Sequence, residues 1–216
     1  MIIAIDGPAG AGKSTVAKLL AQRLGFLYMD TGAMYRAITL RVLEENINLE
    51  DTQKIIGIAR KVNLELKNCE NGNLHVYLDK RDVTEEIRKP KITQFVSEVS
   101  KIKEVREVAL EIQRSLAKDR DCVVEGRDIG TVVFPNAEKK FFLDAEFSER
   151  VRRRYKELKE KNESITLEEI EEDLKKRDLI DSTREIAPLK KARDAVYIDT
   201  TNLSIQEVVD KILRYL

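Results

Sequence analysis

Eight residues near the start of the chain, Gly7-Pro8-Ala9-Gly10-Ala11-Gly12-Lys13-Ser14, fit the pattern G-x-x-x-x-G-K-[ST] in full. They follow the apolar run Ile2–Asp6 and lead into a helical pattern, the context in which this spacing builds a phosphate-binding loop. Glycines let the backbone curl so that successive N–H groups point inward at phosphate oxygens. The helix start adds unpaired donors and partial positive charge. Lys13 has the reach to neutralise β- and γ-phosphates, and Ser14 carries a hydroxyl suited to Mg²⁺. Gly7, Pro8, Ala9, Gly10, Ala11, Gly12, Lys13, Ser14 and Thr15 are the candidate ATP-binding residues, with Thr15 read as a helix residue and not as a second metal ligand.

The loop fixes nucleotide binding but not the fate of the phosphate. The Asn-Lys-x-Asp guanine-reading pattern of GTPases does not occur in the sequence. Cys122-Val123-Val124-Glu125 superficially resembles the acidic strand of a motor ATPase. It continues, however, into Gly126-Arg127-Asp128-Ile129-Gly130, expected as a polar, flexible loop at a strand end. Asp30-Thr31-Gly32-Ala33-Met34-Tyr35-Arg36 follows the second strand in the same way. Ligands of open α/β sheets gather at such carboxyl ends, so the two segments can frame a second substrate. An acceptor phosphate needs charge neutralisation, which Arg supplies in bidentate form. Arg36, Arg106, Arg127, Arg177 and Arg184 are placed for it, the last two flanking Asp181.

Five short apolar runs must position these loops: Ile2–Asp6, Phe26–Asp30, Cys122–Glu125, Lys140–Asp144 and Ala195–Asp199. Most are nearly continuous in apolar residues, as expected of parallel strands covered on both faces. Helical patterns separate them. Val16, Leu19, Leu20 and Leu24 share one face, with Gly25 as a stop. Capping boxes at Thr166–Glu169 and Ser204–Glu207 open two later helices, the first through about Arg177. The expected fold is α/β: a P-loop doubly wound, parallel five-stranded sheet with helices on both faces. Residues 60–103 break the rhythm. Val62–Leu66 and Leu74–Leu78 alternate about the turn signal Asn71-Gly72-Asn73, a third short strand lies near Asp82-Val83, and a helix carries Ile92, Phe95, Val96 and Val99. This is a small α+β insertion in a single domain spanning 1–216.

Composition narrows the function classes. Lys+Arg and Asp+Glu both number 39, so net charge gives no pull toward nucleic acid or acidic membrane. No stretch approaches a membrane span and no leader pattern precedes Ile2, so a cytoplasmic location is expected. Cys69 and Cys122 lack metal-ligand spacing and read as reduced bystanders. His75, the only histidine, sits on an alternating, half-exposed strand, and nothing near it supports a Ser-His-Asp triad. No long apolar seam demands a dimer, so a monomer is the expectation.

Four blocks together resemble the bacterial-type cytidylate kinases, a family of P-loop nucleoside monophosphate kinases. They are Ile5–Ser14, Asp30–Arg36, Gly126–Pro135, and Arg177-Asp178 through Arg184 with Ala187-Pro188-Leu189. The third, Gly-Arg-Asp-Ile-Gly-Thr-Val-Val-Phe-Pro, is the most specific, and the likeness spans nearly the whole chain. The resemblance implies ATP and CMP or dCMP as substrates, Mg²⁺ as cofactor, and in-line transfer without a strong general base, with Lys13, Arg127 and Arg184 as the catalytic residues. It implies that Thr31, Arg36 and Arg127 hold the monophosphate and that Ser97, Arg106 and Asp128 read the cytosine edge. It also implies that Arg177 and Asp181 meet the sugar and Arg184 the phosphates. The role of Glu125 stays open. Residues 150–182 are the expected helical lid. Within Arg150–Lys156, a solvated charged face beside Glu157, Glu160 and Glu163 competes with Arg153 or Arg154 closing over ATP phosphates. Nucleic-acid binding lacks the aromatic interleaving it needs. The rival readings are a P-loop kinase for another small acceptor, such as UMP, AMP or shikimate, and a nucleotide-sensing switch without turnover.

Overall fold

The computed structural model describes residues 1–68, 74–160 and 165–216. The chain runs β1 (Ile2–Asp6), α1 (Lys13–Leu24), β2 (Leu27–Asp30), α2 (Thr31–Glu44) and α3 (Thr52–Ala59). It continues with β3 (Leu64–Asn68), β4 (Leu74–Leu78), β5 (Arg81–Asp82), α4 (Pro90–Ser100), α5 (Lys103–Ala117) and β6 (Cys122–Gly126). β7 (Lys139–Asp144), α6 (Phe147–Glu160), α7 (Leu167–Thr183), β8 (Val196–Asp199) and α8 (Ile205–Leu213) complete it. The five apolar runs pair in parallel in the order β2-β6-β1-β7-β8.

Their sequences explain the burial on both faces. Ile3, Ile5, Val123, Phe141 and Leu143 point into the larger core with Val16 and Leu20 of α1 and Val208 and Ile212 of α8. Ala4, Met29, Cys122 and Val124 point to the opposite face, against Ala117, Ile129 and Val133. Burying such side chains contributes about 1.5–3 kcal/mol each. Cys122 is one of these core residues, and burial pushes its thiol up to about 11. Gly25 ends α1 in the left-handed conformation at φ 70°, where a side chain would be strained. Both capping boxes form, at Thr166–Glu169 and Ser204–Glu207.

A second, antiparallel sheet joins β3, β4 and β5. Leu74, Val76 and Leu78 are buried and alternate with the half-buried His75 and Tyr77, as one-sided burial requires. Its apolar face is continuous with the main core through Met34 and Ile38 of α2 and Ile87 and Ile92. His75 Nδ1 lies 2.8 Å from Asp82 Oδ2. The turn signal Asn71–Asn73, Cys69 and Glu163 lie outside the described residues. No helix among the described residues is long and apolar enough to cross a membrane.

Two local expectations need correction. The helix opened by Thr166 does not end near Arg177 but runs to Thr183, so Asp181 sits on a helix. Gly126–Gly130 is not a flexible polar loop. Gly126 closes β6, and Ile129–Val133 form one wide π-type turn. The Asp6 carboxylate accepts the N–H groups of Ile129 and Gly130, each at 2.8 Å. Satisfied buried donors make a segment rigid however polar its sequence.

Candidate active site

Strand register brings the candidate loops together. Asp6 is level with Gly126, and Asp30 with Glu125. Three strand ends therefore open side by side at the carboxyl edge of the sheet, where the P-loop, α2 and the Gly126–Val133 segment begin. Gly12 caps α1 with φ 84° and no side-chain cap, which leaves the helix-start N–H groups available for an anion. Gly7 has φ 149°, and a Cβ there would lie 1.9 Å from the Leu143 carbonyl oxygen.

Lys13 is buried, and its Nζ donates to the Pro8 carbonyl at 2.7 Å. Burial, then the nearby Arg127, lowers its pKa to about 7. Glu125 lies across from it at the end of β6. Tyr28 Oη donates to Glu125 at 2.6 Å, and the Ser14 hydroxyl bonds to it as well. Burial and the neighbouring Asp30 raise the pKa of Glu125. Asp30 caps α2 through the Ala33 N–H at 2.9 Å. Thr31 is buried and donates its hydroxyl to the Glu125 carbonyl at 2.7 Å. Its proton is thus committed there and would have to turn to serve a phosphate.

Beside the P-loop runs a ladder of alternating charge. Arg106 Nη2 donates to Asp128 at 2.6 Å, and Arg184 Nη2 lies 3.6 Å from the other Asp128 oxygen. Arg184 Nη1 reaches Asp181 at 3.5 Å, and Arg127 Nε donates to Asp181 at 2.8 Å. Burial opposes ionisation of Asp181, but Arg127 and Arg184 outweigh it and hold its carboxyl below the usual range. Three guanidinium groups face two carboxylates, so one positive charge is in excess. Arg36 adds to it, while Arg177 has the Asp173 carboxylate 3.7 Å from its Nη1. Burial foremost, then Arg36 and Arg127, lowers the pKa of Arg177 to about 10. Its Nε and Arg184 Nη2 are buried without a hydrogen-bond acceptor. Buried cations in excess of their carboxylates are stabilised by an incoming anion.

Two cavities adjoin the ladder. One of about 240 Å³ lies between α4 and α7 and is lined by Ser97, Arg177, Asp173 and Gln94. The other, of about 90 Å³, is lined by Asp128, Arg106, Tyr35 and Gln113. The Arg106 guanidinium sits 5.2 Å from the centre of the Tyr35 ring and bonds the Ser100 carbonyl at 3.1 Å. The structure thus gathers Arg36, Arg106, Arg127, Asp128, Arg177, Asp181 and Arg184, while the buried Ser97 lines the larger of these two cavities with Arg177 and not the one beside Arg106 and Asp128.

The basic stretch of α6 divides in an unexpected way. Arg150, grouped with a solvated face, is buried, bonding the Ala9 carbonyl at 3.0 Å and Asp178 at 2.6 Å. Arg153 is bonded to the Thr200 side chain and carbonyl at 3.0 and 2.6 Å, beside Gly12. Arg154 pairs with Glu157 at 2.7 Å and adds to the positive field at Arg36. Asp6, Tyr28 and Arg150 are site residues that the sequence reading missed. For Asp6 there was a signal: a lone acid ending the apolar run Ile2–Ile5. For Tyr28 and Arg150 there was none, because their partners are distant in sequence.

The sequence model of the family described as cytidylate kinase matches residues 3–216. A cytidylate kinase of Caldanaerobacter subterraneus subsp. tengcongensis is 57% identical over 97% of this chain and 92% of its own length. One from Caldicellulosiruptor saccharolyticus is 52% identical over 98% and 93%. The crystal structure of an uncharacterized protein from Eubacterium ventriosum has a TM-score of 0.52 at 13% identity, covering 100% of this chain and 97% of that one. This last likeness is one of fold alone. With the family match spanning almost the whole chain and the P-loop facing the arginine ladder, the chain belongs to the cytidylate kinase family.

Proposed function

We propose that the protein transfers the γ-phosphoryl group of ATP to CMP and dCMP, giving ADP and CDP or dCDP. The observation that carries this reading is the ladder Arg106–Asp128–Arg184–Asp181–Arg127 beside the P-loop lysine. Its positive excess suits a nucleoside monophosphate, and its Asp128 end suits the cytosine edge. A carboxylate accepts hydrogen bonds from the exocyclic amine of cytosine, whereas uracil presents a carbonyl there and is repelled.

The acceptor phosphate is already an anion at neutral pH, so no strong base is needed. Catalysis rests on positioning and charge neutralisation. Lys13 leaves the Pro8 carbonyl for the stronger acceptor, a phosphate oxygen, whose charge raises the fraction of protonated amine. Arg36 and Arg127 orient the monophosphate, with Thr31 beside it, and Arg184 neutralises charge between the two phosphates. Arg177 and Asp181 hold the sugar, and Ser97, Arg106 and Asp128 the base. The Ser14 hydroxyl beside the Glu125 carboxylate forms a hard-oxygen donor set that fits Mg²⁺. Ser14 would hold the ion, which when bound neutralises phosphate charge. Residues 60–103 would form the monophosphate-binding part and 150–182 the lid, closing to exclude water. Arg153 and Arg154 lie on that lid. We place the reaction in the cytoplasm, and a monomer carries every group named.

The test is ADP formation from ATP, Mg²⁺ and CMP by the wild type and by Lys13→Ala. The variant should fold normally and lose turnover by orders of magnitude. Near-normal turnover would overturn the role of Lys13.

A further inference from the structure

Asp6 ends β1 and is 3% exposed. Its two oxygens are used separately, Oδ1 by the Ile129 N–H and Oδ2 by the Gly130 N–H. The next residue, Gly7, opens the P-loop. The two residues immediately before Ile129 are Asp128 and Arg127, which make the ladder contacts at 2.6 and 2.8 Å. Register fixes the other end of the turn, since Gly126 pairs with Asp6 itself. The chain therefore leaves Asp6's level at Gly126, displays Arg127 and Asp128, and is caught again by Asp6 at 129–130. Val132 and Val133 N–H groups return to the Asp128 carbonyl at 2.9 and 3.1 Å, closing the turn behind it.

The two buried donors each bond a different oxygen, and only a carboxylate presents two acceptor oxygens in this shape. Asn in this place would set an NH₂ against an N–H and lose one of the two bonds. Among charged groups, Asp128 of the turn itself and Lys13 of α1 act on Asp6, with opposite signs. Ionising so buried a group is costly, so a carboxylate here has a use that an amide cannot meet.

We propose that Asp6 is a positioning residue for the acceptor site: its carboxylate fixes the Gly126–Gly130 turn so that Arg127 meets the phosphate and Asp128 the base, and ties both to the strand that carries the P-loop. This rests on the reading that Asp128 recognises cytosine. Nothing requires Asp6 to touch either substrate.

The test is steady-state kinetics of Asp6→Asn beside Asp128→Asn, with CMP, UMP and ATP each varied. Loss of a charged, buried hydrogen bond from the turn should raise the KM for CMP roughly tenfold or more. The preference for CMP over UMP should shrink, while the KM for ATP moves by less than about threefold. A global loss of structure would move both KM values and would not produce this split. If Asp128→Asn loses the CMP preference while folded Asp6→Asn keeps it together with its KM, the positioning role is refuted and the reading of Asp128 stands. If neither variant changes the preference, the reading of Asp128 falls and takes the inference with it. Should Asp6→Asn not fold, Gly130→Ala approaches the same contact from the other side. Its Cβ would lie 3.4 Å from Asp6 Oδ2 and 3.1 Å from Lys140 Cδ. It should give a smaller change of the same pattern; an unchanged KM for CMP would overturn the proposal.

Discussion

Replacing Asp128 by Asn keeps the shape of the side chain and removes its charge. In the wild type one oxygen accepts from Arg106 at 2.6 Å, and the other stands 3.6 Å from Arg184. Asn can keep the first contact through its carbonyl, but its NH₂ then faces Arg184, a donor against a cation. Removing one partner of a buried ion pair costs about 3–5 kcal/mol. For a chain of this length that lowers the melting temperature by roughly 6–20 °C. The kinetic effect is more specific. The variant presents one acceptor oxygen in place of two, and its NH₂ can donate to the uracil carbonyl. A site built around a hydrogen bond rejects the wrong partner by about 10⁴ or more, whereas one without it discriminates only about 10–200-fold. The kcat/KM ratio of CMP to UMP should therefore fall by two orders of magnitude or so, mostly through CMP. The assay is coupled ADP detection with each nucleotide varied at saturating ATP, run at a temperature where the variant is folded. An unchanged CMP-to-UMP ratio in folded protein would refute the base-reading argument.

Other perturbations test other parts of the account. Lys13 has a folded pKa of about 7, below its unfolded value of about 10.4. The unfolded chain then binds more protons between these values, so Lys13 contributes stability that increases as pH rises through that window. The urea midpoint should climb more from pH 7 to 9 in the wild type than in Lys13→Met; equal slopes would contradict this. Gly7→Ala drives a Cβ to 1.9 Å from the Leu143 carbonyl oxygen and should destabilise by more than about 3 kcal/mol. Loss of under about 1 kcal/mol in urea unfolding would mean the strand ends are less rigid than described. Arg150→Met releases the Ala9 carbonyl and Asp178 together. It should raise the KM for ATP and lower stability by about 2 kcal/mol or more; an unchanged KM would separate α6 from the ATP site.

The legible parts of the fold are those whose signals are local. β1 and β4 have the expected bounds, and the other core strands differ by a residue at an end, because continuous apolar runs are cut off by polar residues. Caps at Thr166 and Ser204 are written within four residues. Helices α3 and α5 are not among the expected elements, although Asp51 caps the first and the buried Val105, Ala109 and Ala117 mark one face of the second. The turn after β6 read as flexible because its rigidity comes from Asp6, more than a hundred residues away in sequence. The P-loop was legible because its chemistry depends on spacing alone. The order of the charge ladder was not. Which Arg meets which Asp depends on how α5, α7 and β6 meet, and no local pattern encodes that. Arg150 shows the same limit, since sequence alone does not separate a buried guanidinium from the exposed Arg152 and the half-buried Arg154 beside it.

If the ladder and the P-loop serve one reaction, phosphoryl transfer from ATP to a cytidine monophosphate, the acceptor must control turnover. The most direct measurement is ADP and nucleoside diphosphate formation from ATP and Mg²⁺ with CMP, dCMP, UMP, AMP or shikimate, each supplied alone. Strong turnover is expected with CMP and dCMP, weak turnover with UMP, and none with AMP or shikimate. ATP binding without stimulation by any acceptor, or equal use of UMP and AMP, would contradict this reading.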